Sequence, residues 1–150
     1  MPTIKRPLTN GIQPLVHGIL TNNIPEPDHD GLLQPPPNVR SEKVVALMDT
    51  GATTSCIDMD LCEKLQLKHF GTTSVVTLDT SKISHRTKYF AEFSFLKDKS
   101  NIASTIVLPD YLNAAAMPLS AKPYKVVIGM DVLSKGVFMT SRNDFFEFEF

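Results

Sequence analysis

Asp49 stands at the end of an apolar run, Val44-Val45-Ala46-Leu47-Met48, and is followed by Thr50 and Gly51. Such a run is a strand that burial would favour, delivering a carboxylate at its end. Gly51 allows a sharp turn and close approach by a substrate or a second chain. The Thr50 hydroxyl is placed to bond across to an opposing loop. One aspartate at its ordinary pKa is a poor catalyst of amide hydrolysis. Two held side by side cannot both ionise comfortably, so they share a proton. The ionised member then takes a proton from water while the protonated one donates to the carbonyl under attack. That chemistry needs no covalent intermediate and no Ser/His or Cys/His pair.

Asp-Thr-Gly alone is a common tripeptide. A second element gives it context: far downstream, Val126-Val127-Ile128-Gly129-Met130-Asp131-Val132-Leu133 offers apolar residues, a glycine and then a short helix. With Ala46-Leu47-Met48-Asp49-Thr50-Gly51-Ala52-Thr53, it resembles the retropepsin-like aspartic proteases, particularly the bacterial branch. The resemblance runs from about Leu15 onward and rests on these two motifs. It implies a retropepsin-like acid protease fold, a single-lobe closed β-barrel with two short helices, acting as an aspartic endopeptidase. Asp49 would be the catalytic carboxylate, Thr50 the cross-dimer hydroxyl and Gly51 a backbone acceptor for substrate. Ala52, Thr53, Val127 and Ile128 would line the substrate side, with Ile128 and Gly129 packed under the loop. Asp131 stands where retroviral members place a basic residue, so it would instead cap the following helix or bond to Thr53 or Thr54.

Only one such loop is present, and 150 residues cannot hold two lobes. The resemblance therefore implies a homodimer about a twofold axis, one Asp49 from each chain. In that family short terminal strands interleave at the interface. Phe146, Phe148 and Phe150 alternate with Glu147 and Glu149 in the way this requires. The plainer alternative is an edge strand whose glutamates discourage aggregation. A flap is also implied; Val75 to Phe93 is the candidate, with its tip near Asp79 to His85 and Ile83 touching substrate. The tip has no glycine, unlike retroviral flaps.

The elements that must position these residues read as mostly β. Gln13 to Leu20 and Lys43 to Met48 are strand-like, and Asn22 to Asn38 between them carries Pro25, Pro27, Pro35, Pro36 and Pro37. Proline at that density cannot feed a ladder or a helix, so a hairpin with a long loop insertion at about 22–38 is expected. Ser55-Cys56-Ile57 reads as a short strand, then a helix from Met59 to Gln66 capped by Asp58. Ser74 to Leu78, Thr87 to Phe95 and Ala103 to Leu108 carry the β-branched and aromatic residues of strands. Pro109 to Pro123 is expected to be irregular, with one helical turn around Tyr111 to Ala116. Lys125 to Ile128 is a strand, Asp131 to Lys135 a short helix, and Val137 to Thr140 a strand.

A chain of 150 residues is one domain by length. Its net charge of −1, without a basic run, disfavours nucleic acid and anionic membranes as partners. No apolar stretch is long enough to span a bilayer. Cys56 and Cys62 suit a reducing compartment, and with no leader-like N-terminus they point to the cytoplasm. His17, His29, His69 and His85 lack ligand spacing, so no metal or cofactor is expected. Three rivals remain. A haloacid-dehalogenase-like phosphatase needs a second acid where Gly51 stands. A plain β-turn could use Asp and Gly for turn chemistry alone. A catalytically inactive retropepsin-like dimerisation or peptide-binding module would have no need of a carboxylate facing another.

Overall fold

A computed structural model describes residues 1–9, 13–77, 82–98, 101–140 and 145–150. The chain is mostly β with two short helices. Its strands are β1 (Thr3–Pro7), β2 (Leu15–Thr21), β3 (Glu26–Pro27), β4 (Leu33–Gln34), β5 (Ser41–Met48) and β6 (Cys56–Asp58). Helix α1 (Met59–Lys64) leads to β7 (Lys68–Val76), β8 (Ile83–Asp98), β9 (Asn101–Val107), β10 (Leu112–Met117) and β11 (Val126–Ile128). Helix α2 (Met130–Leu133), β12 (Val137–Thr140) and β13 (Phe145–Glu149) complete the order.

The larger sheet runs β10-β6-β11-β5-β2-β8-β7, with β9 also on β8. β10 pairs with β8 as well as β6, so six strands follow one another in a hydrogen-bonded ring. The expected hairpin is present: β2 lies antiparallel to β5, from Leu15 opposite Leu47 to Thr21 opposite Ser41. Its long connection departs from expectation, because β3 and β4 form a two-residue ladder that includes Pro27. Proline is tolerated in so short and exposed a pair, where few bonds are asked of it. The helical turn expected near Tyr111 to Ala116 is instead strand β10. Three alanines carry little strand preference, and here β6 on one side and β8 on the other dictate the conformation.

The second sheet, ordered β1-β13-β12, holds the termini. β13 is its central strand, paired to both neighbours within the chain, and so is not an edge. The phenylalanine alternation does what a two-faced strand requires: Phe146 and Phe148 are wholly buried in the core. Each such burial contributes about 1.5–3 kcal/mol. Phe148 and Phe150 also reach the ring of Phe95 from β8, tying the two sheets together. No helix among the described residues is long and apolar enough to cross a membrane.

Candidate active site

Along β5 the core takes Val44, Ala46 and Met48, and Asp49 follows at the strand's end. β11 runs parallel beside it with Ile128 opposite Met48. The Asp49 N–H donates to the Ile128 carbonyl at 2.9 Å, carrying the ladder one step past the strand. The chain then turns, with the Gly51 N–H donating to Asp49 Oδ1 at 2.8 Å. Gly51 is not in the left-handed region. A Cβ there would stand 3.1 Å from Asp49 Oδ1, so this glycine supplies room beside the carboxylate rather than a special dihedral angle.

Gly129 is the tighter requirement. A Cβ on it would lie 2.7 Å from the Ala52 carbonyl oxygen and 3.0 Å from the Thr54 carbonyl carbon. Backbone meets backbone here, and the Met130 N–H seals the contact by donating to the Ala52 carbonyl at 2.8 Å. The two motifs, distant in sequence, thus form one unit.

Asp131 closes this unit, though not by either expected route. The N-cap of α2 is Gly129, with no side-chain cap bond. The Asp131 carboxylate instead accepts the Ser55 N–H at 3.0 Å and the Ser55 hydroxyl at 2.7 Å. Ser55 Oγ in turn accepts the Gly129 N–H at 3.1 Å. Ser55 is fully buried, and one hydroxyl links both loops. Sequence reasoning placed Ser55 only in a strand, since a lone serine carries no periodic signal. Asp58 departs similarly: it stands at the N-cap of α1, but its carboxylate accepts the Leu119 N–H at 2.8 Å rather than a helix N–H.

Paired residues share a face of a sheet. Leu47, Val127, Cys56 and Ala115 therefore form a lateral row across β5, β11, β6 and β10. Their neighbours Ala46, Met48, Val126, Ile128 and Ile57 face the core instead. Val127 lies on the other face of the sheet but is buried too, at 7% exposure. Contrary to expectation, neither it nor the wholly buried Ile128 is open to a substrate; Ile128 serves the loop through its carbonyl. Burial pushes the Cys56 thiol up to about 11, with the carboxylates of Asp131 and Asp49 adding to the effect. Cys62 is pushed up to about 12, chiefly by burial and then by Asp58. Both thiols are free, Cys62 buried and Cys56 half-buried.

Asp49 and Ala52 are half-buried, and Thr50, Gly51 and Thr53 are exposed. Two clefts, of about 280 and 250 Å³, are lined by Leu15, His17 and Val45 and by Leu108, Val132 and Phe150, among others. Asp49 lines neither. The hairpin expected as a flap exists, β7 against β8, with Val76 opposite Ile83. Residues 78–81, which include the first part of its expected tip, lie outside the described residues. Ile83 is 68% exposed, and no hydrogen bond or ring contact joins it to the Asp49 loop among the described residues. Asp28, His29 and Asp30 bring ligand-type atoms within 4.8 Å of one another in the exposed turn between β3 and β4. The Asp28 oxygens there already accept three bonds from the turn itself. Comparison with models of protein families and with curated proteins gave no match.

Proposed function

We propose that the protein is an aspartic endopeptidase that hydrolyses peptide bonds through a water held between two Asp49 carboxylates, one from each subunit of a homodimer. We take the six-strand ring as the closed barrel of a retropepsin-like lobe. The observation that carries the proposal is the coupling of the two motifs: Asp49 is bonded to Ile128, and its loop is pressed against Gly129 with no room for a side chain. An ordinary surface turn has no need of such support. The exposure of Thr50 and Gly51 suits half of a site awaiting its other half.

In the assembled site the ionised Asp49 accepts a proton from water as its oxygen attacks the scissile carbonyl carbon. The protonated Asp49 donates to the carbonyl oxygen, giving a tetrahedral diol. One Asp49 then gives its proton to the amide nitrogen while a diol hydroxyl gives its own to the other Asp49, so the C–N bond breaks to acid and amine and the shared proton is restored. Half-buried Leu47, two residues before Asp49, supplies apolar surface that suits apolar side chains beside the cleaved bond. Cleavage of a peptide library at several pH values tests this. Activity is expected toward acidic pH, falling on dilution below the dimer dissociation constant. Asp49→Asn should lower it by about a thousandfold or more with the dimer intact. Full activity in that variant would overturn the assignment.

A further inference from the structure

We infer that the cleft of about 280 Å³ beside β1 and β2 binds a small carboxylate, held by the charge of Arg6 with its apolar body against Leu15 and Val45. His17 faces Val45 across the ladder, and their neighbours Val16, Val44 and Ala46 take the core, so the cleft lies on the opposite side of the sheet. The Lys125 N–H donates to the Val45 carbonyl at 2.9 Å, which brings the Pro123 segment alongside. Arg6, Pro7 and Thr9 come from β1 and the residues after it.

Arg6 sets the chemistry. Its half-buried guanidinium is held in place: Nη1 donates to the Lys5 carbonyl at 2.7 Å, and Nη2 donates to the carbonyls of Leu96 and Lys97 at 2.6 Å each. All three acceptors are neutral. Among the described residues Arg6 forms no ion pair, whereas Lys5, Lys64, Lys68 and Lys135 each have a carboxylate partner. A guanidinium carries five N–H donors. Three are used, and those left on Nε and Nη1 have no acceptor among the described residues. A strap from β1 to β8 needs these hydrogen bonds but not the charge, which is left over at the cleft.

Among the described residues no acidic side chain lines this cleft, and the Thr9 hydroxyl adds a second donor. The other cleft makes the contrast: it too holds a cation, but Lys135 is bonded to Asp110 at 2.7 Å and its charge is cancelled. Pro7, Leu15, Val45 and Pro123 make the wall mostly apolar, with few polar groups, the composition of a small-molecule site. A phosphate asks for more donors than part of one guanidinium and a hydroxyl provide. A monocarboxylate on a branched body satisfies both the charge and the apolar wall. Hydrogen bonds to a charged group are about twice as strong as neutral ones, and a guanidinium already fixed loses little freedom on binding. A ligand here needs nothing from Asp49, which lines neither cleft.

The experiment is a nuclear magnetic resonance titration of the full chain at neutral pH with isovalerate, and with isovaleramide as its uncharged counterpart. Isovalerate should saturably shift the Arg6 Nε–H and the backbone N–H groups of Leu15, His17 and Val45, and leave those of Val132 and Lys135 in the other cleft unmoved. Isovaleramide should bind about tenfold more weakly or worse. Arg6→Gln should weaken isovalerate by about tenfold, and Val45→Phe should do the same by filling the cleft while Arg6 keeps its bonds. Equal binding of acid and amide, no saturable shift, or unchanged affinity in either variant when folded would overturn the inference. The comparison of acid with amide requires no variant, so it decides the matter even where Arg6→Gln fails to fold. A tripeptide with a free C-terminal leucine separates two sources of the carboxylate. Binding tighter than isovalerate and abolished by C-terminal amidation assigns the cleft to a peptide chain end; binding no tighter assigns it to a free acid.

Discussion

Two turns in this molecule use the same chemistry to different ends. At Asp28 one carboxylate oxygen accepts the N–H groups of Asp30 and Leu32, and the other accepts from Gln34 Nε2. These bonds, the one from Leu32 foremost, hold the Asp28 carboxyl below its ordinary range. At Asp49 one oxygen accepts the Gly51 N–H, and the second accepts no hydrogen bond among the described residues. The Asp28 carboxylate is occupied in making its turn. The Asp49 carboxylate is held by its backbone, by Ile128 and by the Gly129 contact, which leaves an oxygen over. A carboxylate is available for chemistry when something else does its structural work.

Exchange of each aspartate for asparagine is the most direct way to break this comparison. Asp49→Asn should abolish cleavage and leave the melting temperature nearly unchanged. Asp28→Asn should leave cleavage within about twofold and lower the melting temperature slightly. Peptide turnover and thermal denaturation on both variants check this. Equal losses of activity would show that the two turns do not differ in the way their bonding indicates.

The support of each turn can be tested next. Gly129→Ala forces a Cβ against the Ala52 carbonyl and should destabilise by about 1–3 kcal/mol, with activity falling as the loop shifts. Ser55→Ala strands the Gly129 N–H and part of the Asp131 carboxylate, and should cost about 1–3 kcal/mol. Gly31 in the other turn has open space around it but a φ of +79°. Its replacement by alanine meets strain alone, offset in part by a stiffer unfolded chain, so a loss of about 1 kcal/mol is expected. Denaturant titrations of the three variants give the ranking. A Gly31→Ala loss exceeding that of Gly129→Ala would invert it.

What the sequence made legible follows from how local each cause is. β5 and Asp49 were readable because an apolar run, an acid and a glycine are contiguous. Helix α1 was readable from its leucine spacing, with its end misplaced by two residues at a left-handed Gln66. The partners of Asp131 and Asp58 were not readable, since Ser55 and Leu119 are distant in sequence and nothing local marks them. β10 is a strand where a helical turn is expected because alanine follows its neighbours. β13 was read as a terminal strand at an interface, yet its two partners, β1 and β12, lie at opposite ends of the sequence gap. The expected flap was found as a hairpin, while its relation to Asp49 rested on resemblance alone.

The smallest effects should separate the two turns at opposite ends of the pH scale. The Asp28 pKa is lowered on folding from 3.8. Its contribution to stability is therefore present above that value and lost as pH falls through the folded pKa. Cys56 is raised from 9.0 to about 11, chiefly by burial and then by Asp131 and Asp49. Here the folded state holds the proton more tightly, so the contribution is complete below 9.0 and lost as pH rises toward 11. Melting temperatures measured across the whole range should show Asp28→Asn flattening only the acid limb and Cys56→Ala only the alkaline one. Cys62 adds its own alkaline loss and persists in the Cys56 variant, so the flattening there is partial. An alkaline limb unchanged by Cys56→Ala would mean that this thiol does not feel the burial and the two carboxylates assigned to it.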